Sequence, residues 1–320
     1  MASSVMTDHQ QQYYFTEEIM SMMHAFGDCN QPMPESARLI ESIVHEQLDA
    51  LIEKADGVAQ LRNSPTIGAE DILFLLRKDK SKLVRLINHL YVKDIKQTFN
   101  DGNTTDIKAF DATRSQTRRV KICYDYMCQL DEFGEYKKVF NQALFDEIKN
   151  QRMRRMDSLT RNMNSQEYND FTKARQVSFI SKIKAEKFSE WLLFNRPDTK
   201  LSVFAFEMIQ YLAHETVAQI VDLALLVKQD AERDPNDPLS VLITKSSHNK
   251  HDKAINIGQS SQPQTKSFNI SYNGLKPAAQ TRCITPNNIH EAMRRYCDQK
   301  SPFREYKMRH ASSPLVILCI

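Results

Sequence analysis

Glycine is the scarcest thing in this chain: seven among 320 residues, where ordinary usage of about 7% would supply roughly 22. Glycine-rich phosphate loops, dinucleotide turns and strings of short hairpins need backbone that tolerates positive φ, and few such positions exist here. With 11 prolines added, the breakers total 18, so most of the ordered chain is free to be helix. The six cysteines (Cys29, Cys123, Cys128, Cys283, Cys297, Cys319) are scattered, with no Cys-x-x-Cys pair and no histidine at zinc-finger spacing. Neither structural zinc nor disulfides are expected, and a reduced nuclear or cytosolic setting fits. Long apolar runs are missing too. The best, Val221 and Leu223 to Val227, fall far short of the ~20 residues a membrane helix needs. The first twelve residues show no basic flank followed by an apolar stretch, so no secretory signal is expected and the chain reads as soluble and intracellular.

Catalytic chemistry is equally absent from the pattern. No Gly-x-Ser-x-Gly turn or metal-ligand cluster organises the serines, histidines and acids, and His24 and His45 fall on amphipathic helices as edge or core residues. The expectation is a protein that is not an enzyme, with no cofactor, no metal and no small-molecule substrate.

What the chain does have is 41% hydrophobic residues, enough for real cores, 26% charged residues and a mean hydropathy of −0.53. The length suggests two domains. The net charge of +3 is unevenly spread. Lys+Arg against Asp+Glu run 10 against 13 over residues 13–98, 16 against 12 over 99–184, and 4 against 7 over 185–231. The basic excess therefore sits between the two most apolar segments, whereas a chain gripping DNA through its folded cores would show the reverse.

Helical periodicity sets the order of elements. Thr16 is a candidate N-cap, with Phe15 and Met20 placed for a hydrophobic staple, and Ile19, Met22, Met23 and Phe26 make one short apolar face. After Gly27 to Pro34 comes a helix of about 27 residues, with Ala37, Ile40, Val44, Leu48, Leu51, Ala55 and Val58 at three-or-four spacing and Pro34 in its first turn. A break through Asn63, Ser64 and Pro65 precedes a third helix capped by Gly68, and a further amphipathic helix follows Asp79. A long helix flanked by two short ones cannot cover its own apolar stripe. It needs a partner of the same shape.

Residues 185–297 supply that partner. Phe188, Trp191, Leu192 and Phe194 mark a short helix, and Lys200 to Gln229 a long one. The long helix carries Val203, Phe206, Ile209, Leu212, Val217, Ile220, Ala224 and Val227 on its apolar face, and Glu207, Gln210, His214, Glu215, Gln219 and Asp222 opposite. A polar stretch from Asp230 to Arg282 reads as a disordered insertion. Beyond it Thr285 caps a last helix, with Pro286 at its first position and Ile289, Met293 and Tyr296 pointing inward. The expected divisions are a disordered tail over 1–12, a first three-helix unit with an extra helix over 13–98, a helical linker over 99–184, a second unit over 185–297 with its insertion at about 230–283, and a tail over 298–320. In the linker, Val120, Tyr124, Met127 and Leu130 share one face, Leu144, Ile148 and Met156 a weaker one, and Arg152, Arg154 and Arg155 read as a solvated face, with nuclear import or nucleic-acid contact as sharper alternatives.

The isoleucine-threonine-proline entry at Ile284-Thr285-Pro286 and the two three-helix units resemble the histone fold. The runs Ile72 to Lys80, Tyr211 to Ala224 and Ile289 to Arg295 are similar to the suppressor-of-Ty "three" subunits of the SAGA transcription coactivator, over nearly everything from Phe15 to Tyr296. The resemblance implies an all-α chain in which a TFIID 18-kilodalton-like unit pairs with a 28-kilodalton-like unit in one polypeptide. It further implies a nuclear, non-enzymatic coactivator subunit that partners other SAGA histone-fold subunits and helps deliver TATA-binding protein to RNA polymerase II promoters. The expected pair core is Ile40, Val44, Leu48, Leu51, Phe206, Ile209, Val217 and Ile220.

Glu207, Glu215 and Asp222 form a candidate acidic docking strip, assigned to TATA-binding protein by family analogy, against the plainer reading of a solvated face. Glu215, beside Tyr211 and Ala218, is its expected centre, and Glu215→Lys is expected to weaken docking without unfolding the chain. Direct DNA binding through Lys78, Lys80, Lys82 and Arg85 is the alternative, and a generic helical scaffold is the third reading. The apolar run Pro314 to Ile320 is either a docking tail or an accident of sequence.

Overall fold

The computed structural model describes residues 14–100, 117–141, 146–179, 185–231, 283–299 and 318, and shows helices without strands among them. The first unit comprises α1 (Thr16–Phe26), α2 (Pro34–Leu61) and α3 (Ala69–Leu76), followed by α4 (Lys80–Asn100). The linker contributes α5 (Arg118–Gln129), α6 (Glu135–Asn141), α7 (Glu147–Thr160) and α8 (Ser165–Gln176). The second unit comprises α9 (Ala185–Leu192), α10 (Val203–Ala231) and α11 (Pro286–Gln299). The insertion expected at 230–283 and the N-terminal tail lie almost wholly outside the described residues.

Capping follows the sequence in most places. Gly68 has no side chain to offer, so Asp71 reaches back from the first turn of α3 and accepts the Gly68 N–H at 2.7 Å. Pro34 occupies the first position of α2, and the Thr285 hydroxyl accepts the Asn288 N–H at 3.4 Å. The start of α1 differs. Thr16 lies inside the helix, and the cap is Glu41 from α2, whose carboxylate accepts the N–H groups of Tyr14 and Phe15 and the Thr16 hydroxyl. A charged acceptor borrowed from another helix satisfies donors that a local cap would have reached. It also fixes the angle between α1 and α2.

The long helices α2 and α10 pack together, α11 lies against both, and α3 touches α10. Ile40, Val44, Leu48, Leu51, Ile209, Val217 and Ile220 are fully buried in one continuous core, and Phe206 packs against its edge with its ring 5.6 Å from that of Phe188. At one end, the loop after α2 meets the loop before α10: the Ile67 N–H donates to the Lys200 carbonyl and the Ser202 N–H to the Ile67 carbonyl, both at 2.9 Å. This makes a single parallel bridge between Ile67 and Leu201. At the other end, the loop before α2 meets the loop before α11. Asp28 accepts the Ile284 N–H at 2.9 Å, and the Ser36 hydroxyl donates to the Ile284 carbonyl at 2.7 Å. Each unit thus covers the other's stripe and closes the other's loop. Phe15, Phe179, Phe188 and Trp191 interlock beside it, with Phe15 5.3 Å from Trp191 edge to face.

Three expectations are corrected here. Cys29 and Cys283, 254 residues apart, form a disulfide across the second loop junction. Local spacing rules do not register a pair that only the folding together of two distant loops creates. Val203 and Phe194, assigned to apolar faces, are 80% and 74% exposed, because both lie at helix ends beyond the reach of the partner unit. Ile148, in the weaker linker face, is also exposed, as is Leu130 at the end of α5.

Candidate protein-interaction site on the second long helix

The polar stripe of α10 does not face water. Glu215 is 5% exposed and Gln210 also 5%, because α4 and the linker close over this side. Arg85 of α4 places Nε 3.0 Å from Glu215 Oε1, and Arg152 of α7 directs Nη1 to both Glu215 oxygens at 3.1 Å. Arg152 Nε continues to Asp222 at 2.7 Å, and Arg155 donates to Asp222 at 2.6 Å and to the Phe26 carbonyl of α1 at 2.8 Å. Asp146, which caps α7, takes the remaining side of Arg85 at 3.1 Å. Farther along, Glu207 receives Arg119 of α5 at 2.8 Å and Lys93 of α4 at 3.2 Å, and Asp94 receives Arg119 at 2.6 Å.

Alternating charges make this array self-consistent. Burial alone would lower the pKa of Arg152, but the charges of Glu215 and Asp222 outweigh it and raise the value instead. Arg85 behaves in the same way, with Glu215 and Asp146 overcoming its desolvation. For Glu207 burial pushes upward, yet the Arg119 hydrogen bond and the Lys93 charge hold the carboxyl below its ordinary range. Buried charges persist only when so paired.

The expectation of an open acidic docking strip at Glu207, Glu215 and Asp222 is therefore corrected: these carboxylates are occupied by arginines of the same chain. Tyr211 and Ala218, the expected apolar shelf, are buried, at 8% and 0% exposure. Arg152 and Arg155 are likewise not a free basic face, though Arg154 is exposed. The DNA-facing group divides: Lys82 and Arg85 are 2% and 7% exposed, whereas Lys78 and Lys80 are exposed, with Lys80 paired to Glu135.

Arg119 and Asp146 were not singled out from the sequence, and Arg85 was singled out only as a candidate DNA contact. A signal for them existed in the charge counts: a linker with excess cations between two units with excess anions is complementary to those units. Beside the array, α1, α7 and α8 enclose a cavity of about 230 Å³ whose walls include Met22, Phe26, Met153, Met156 and Arg152, with His214 of α10 at its edge. Burial, followed by the Arg152 charge, lowers the His214 pKa to about 4. Among the described residues, no group of three or more histidines, cysteines and acids is placed to hold a metal ion.

A fold of paired units, joined by a linker that neutralises the second long helix, can now be set beside known proteins. Residues 13–103 match the family model described as transcription initiation factor IID, 18kD subunit. The SAGA complex subunit Spt3 of Schizosaccharomyces pombe is 29% identical over 249 residues, covering 72% of this chain and 78% of that protein. The chain is similar to Spt3 along most of its length. The Drosophila melanogaster SAGA complex subunit Spt3 is 30% identical over 230 residues, 70% of this chain and 55% of that protein. TFIID subunit 13 of Arabidopsis thaliana is 41% identical over 71 residues, 22% of this chain. The Spt3 likeness extends far beyond the 18-kilodalton unit and so takes in the linker and second unit as well.

Proposed function

We propose that this chain is a non-enzymatic subunit of a SAGA-type transcription coactivator in the nucleus, in which two histone folds pair within one polypeptide. The carrying observation is the reciprocal closure of α2 and α10 at both loop junctions, through Ile67 with Leu201 and Asp28 with Ile284. Such a unit is complete in its own pairing and leaves its outer faces for other histone-fold subunits. By likeness to the Spt3 subunits, its role is to help bind TATA-binding protein and deliver it to RNA polymerase II promoters. The contact does not run through Glu215, which the chain itself covers.

The test is purification of the complex through an affinity tag on this chain, followed by crosslinking mass spectrometry with added TATA-binding protein. Links to other coactivator subunits and to TATA-binding protein are expected, alongside internal links between the 40s and the 210s. Purification without coactivator subunits sinks the assembly reading, and a complex lacking this chain that binds TATA-binding protein undiminished sinks the delivery reading.

A further inference from the structure

The cavity beside the α10 array has an uneven lining. Met22 and Phe26 of α1 and Met153 and Met156 of α7 give it apolar walls. Met22 is fully buried whereas Met153 is 44% exposed, so the cavity runs from the core to the surface. The charges that line it are all of one sign: Lys149, Arg152, Arg155 and Arg175, with no carboxylate among them. Arg152 and Arg155 are already held by Glu215 and Asp222 behind the wall. Lys149 and Arg175 are exposed, and among the described residues neither side chain meets a carboxylate. His214 adds no charge, because burial keeps its ring neutral. At about 230 Å³ the space exceeds the ~150 Å³ that takes one small aromatic ring. It falls below the roughly 300–1,000 Å³ of sites that enclose a whole ligand. That is room for one or two large side chains.

We infer that this cavity is a docking site for an acidic peptide segment of a partner protein, which inserts one aromatic or large aliphatic side chain between α1 and α7 and sets flanking carboxylates against Lys149 and Arg175. Charge complementarity and the apolar interior together single out that occupant. A bare anion or a nucleic-acid backbone would have to shed its water among methionines, at a cost the two rim cations do not offset. A basic segment would be repelled at the mouth, and an uncharged one would desolvate the two cations without pairing them. Methionine thioethers repack around an inserted group at little cost and make favourable contacts with aromatic rings. The wall itself is braced: Arg152 ties α7 to α10, and Arg155 ties α7 both to α10 and to the Phe26 carbonyl of α1. A partner therefore meets a formed recess with an adaptable lining, the arrangement in which one buried anchor carries most of the binding energy. This site uses none of the carboxylates that the chain covers, and it stands apart from the TATA-binding protein reading.

The test is selection of a displayed library of random peptides on the full-length chain, followed by fluorescence anisotropy with the enriched sequences made synthetically. Enriched peptides are expected to share one aromatic or large aliphatic residue with aspartate or glutamate on both sides of it. Alanine at that anchor should weaken binding at least about tenfold. Lys149→Glu combined with Arg175→Glu should do the same and flatten the salt dependence, and since both positions are exposed the helicity should stay as in the native chain. Ala25→Phe fills the cavity from α1 and should abolish binding. If that variant unfolds, methyl-labelled methionine in the native chain decides: the resonances of Met153 and Met156 must shift on adding peptide while that of Met127 on α5 does not. A cavity filled instead by another part of this chain, or suited to a small apolar molecule, would select no such peptide, and that result overturns the proposal. Enrichment of basic or uncharged sequences, binding indifferent to the charge reversal, or unmoved Met153 and Met156 methyls overturns it equally.

Discussion

Glu215 sits between two guanidinium groups, and its removal leaves both without their shared anion. Breaking a buried pair by deleting one partner costs about 3–5 kcal/mol, because the surviving charge stays in low dielectric. Glu215→Lys adds a third cation beside Arg85 and Arg152 and should lower the urea midpoint far more than Glu215→Gln, which keeps the shape and two hydrogen-bonding atoms. A melting temperature unchanged by Glu215→Lys would mean that the arginines do not enclose it. His89 and His214 act in the opposite sense, as groups buried neutral. Burial lowers both to about 4, helped for His89 by Lys93 and for His214 by Arg152. Between about 6.5 and about 4 the unfolded chain binds protons that the folded chain refuses, so stability falls as pH drops through that window. The slope is up to about 1.4 kcal/mol per pH unit for each histidine, with no contribution above the window and no further loss below it. Urea titrations at pH 7 and pH 5 should show a smaller difference for His214→Leu than for the native chain. An equal difference would place the ring in water.

At the level of elements, α2 is a 28-residue helix that carries a glycine in its interior. Gly57 is exposed, and a Cβ built on it meets nothing within 4 Å. Glycine in such a place costs about 0.5–1 kcal/mol relative to alanine through backbone freedom in the unfolded chain. Gly57→Ala should therefore raise the unfolding free energy by about 0.5–1 kcal/mol, read as a higher urea midpoint at unchanged slope. A fall would show that another surface or a bend needs the glycine. Elements whose stripes bury against a matching stripe were readable from sequence, since periodicity encodes burial directly: α2 from Ala37 to Val58, α10 from Phe206 to Val227, and the entry to α11 at Thr285-Pro286. In the linker, α5 was readable through its face of Val120, Tyr124 and Met127, but the contacts of α7 were not. Nothing local in α7 shows that Arg152 and Arg155 turn toward Asp222, 70 and 67 residues away, and the same arginines on an isolated helix would be solvated. Glu207, Glu215 and Asp222 read as an open strip for that reason. A carboxylate opposite an apolar stripe reads as surface unless the element that covers it is known.

For the whole molecule, reciprocal coverage dictates cooperativity. If each long helix hides the other's stripe, neither unit holds its core alone, and the chain must unfold as one body. The single tryptophan, Trp191, gives a local probe: it stands on α9 of the second unit, among Phe15, Phe179 and Phe188. Far-UV circular dichroism reports all helices at once. Ile40→Ala on α2 and Ile220→Ala on α10 each remove fully buried methyl groups, which should cost about 2–5 kcal/mol apiece. Since the two sites share one transition, each variant is expected to move the Trp191 fluorescence curve and the dichroism curve together, with midpoints coincident within each protein. Independent units behave otherwise: Ile220→Ala would then lower only part of the dichroism change and leave a second, unshifted transition. Appearance of that second transition would refute the paired core, because a stripe covered by another element cannot stay buried after that element has unfolded.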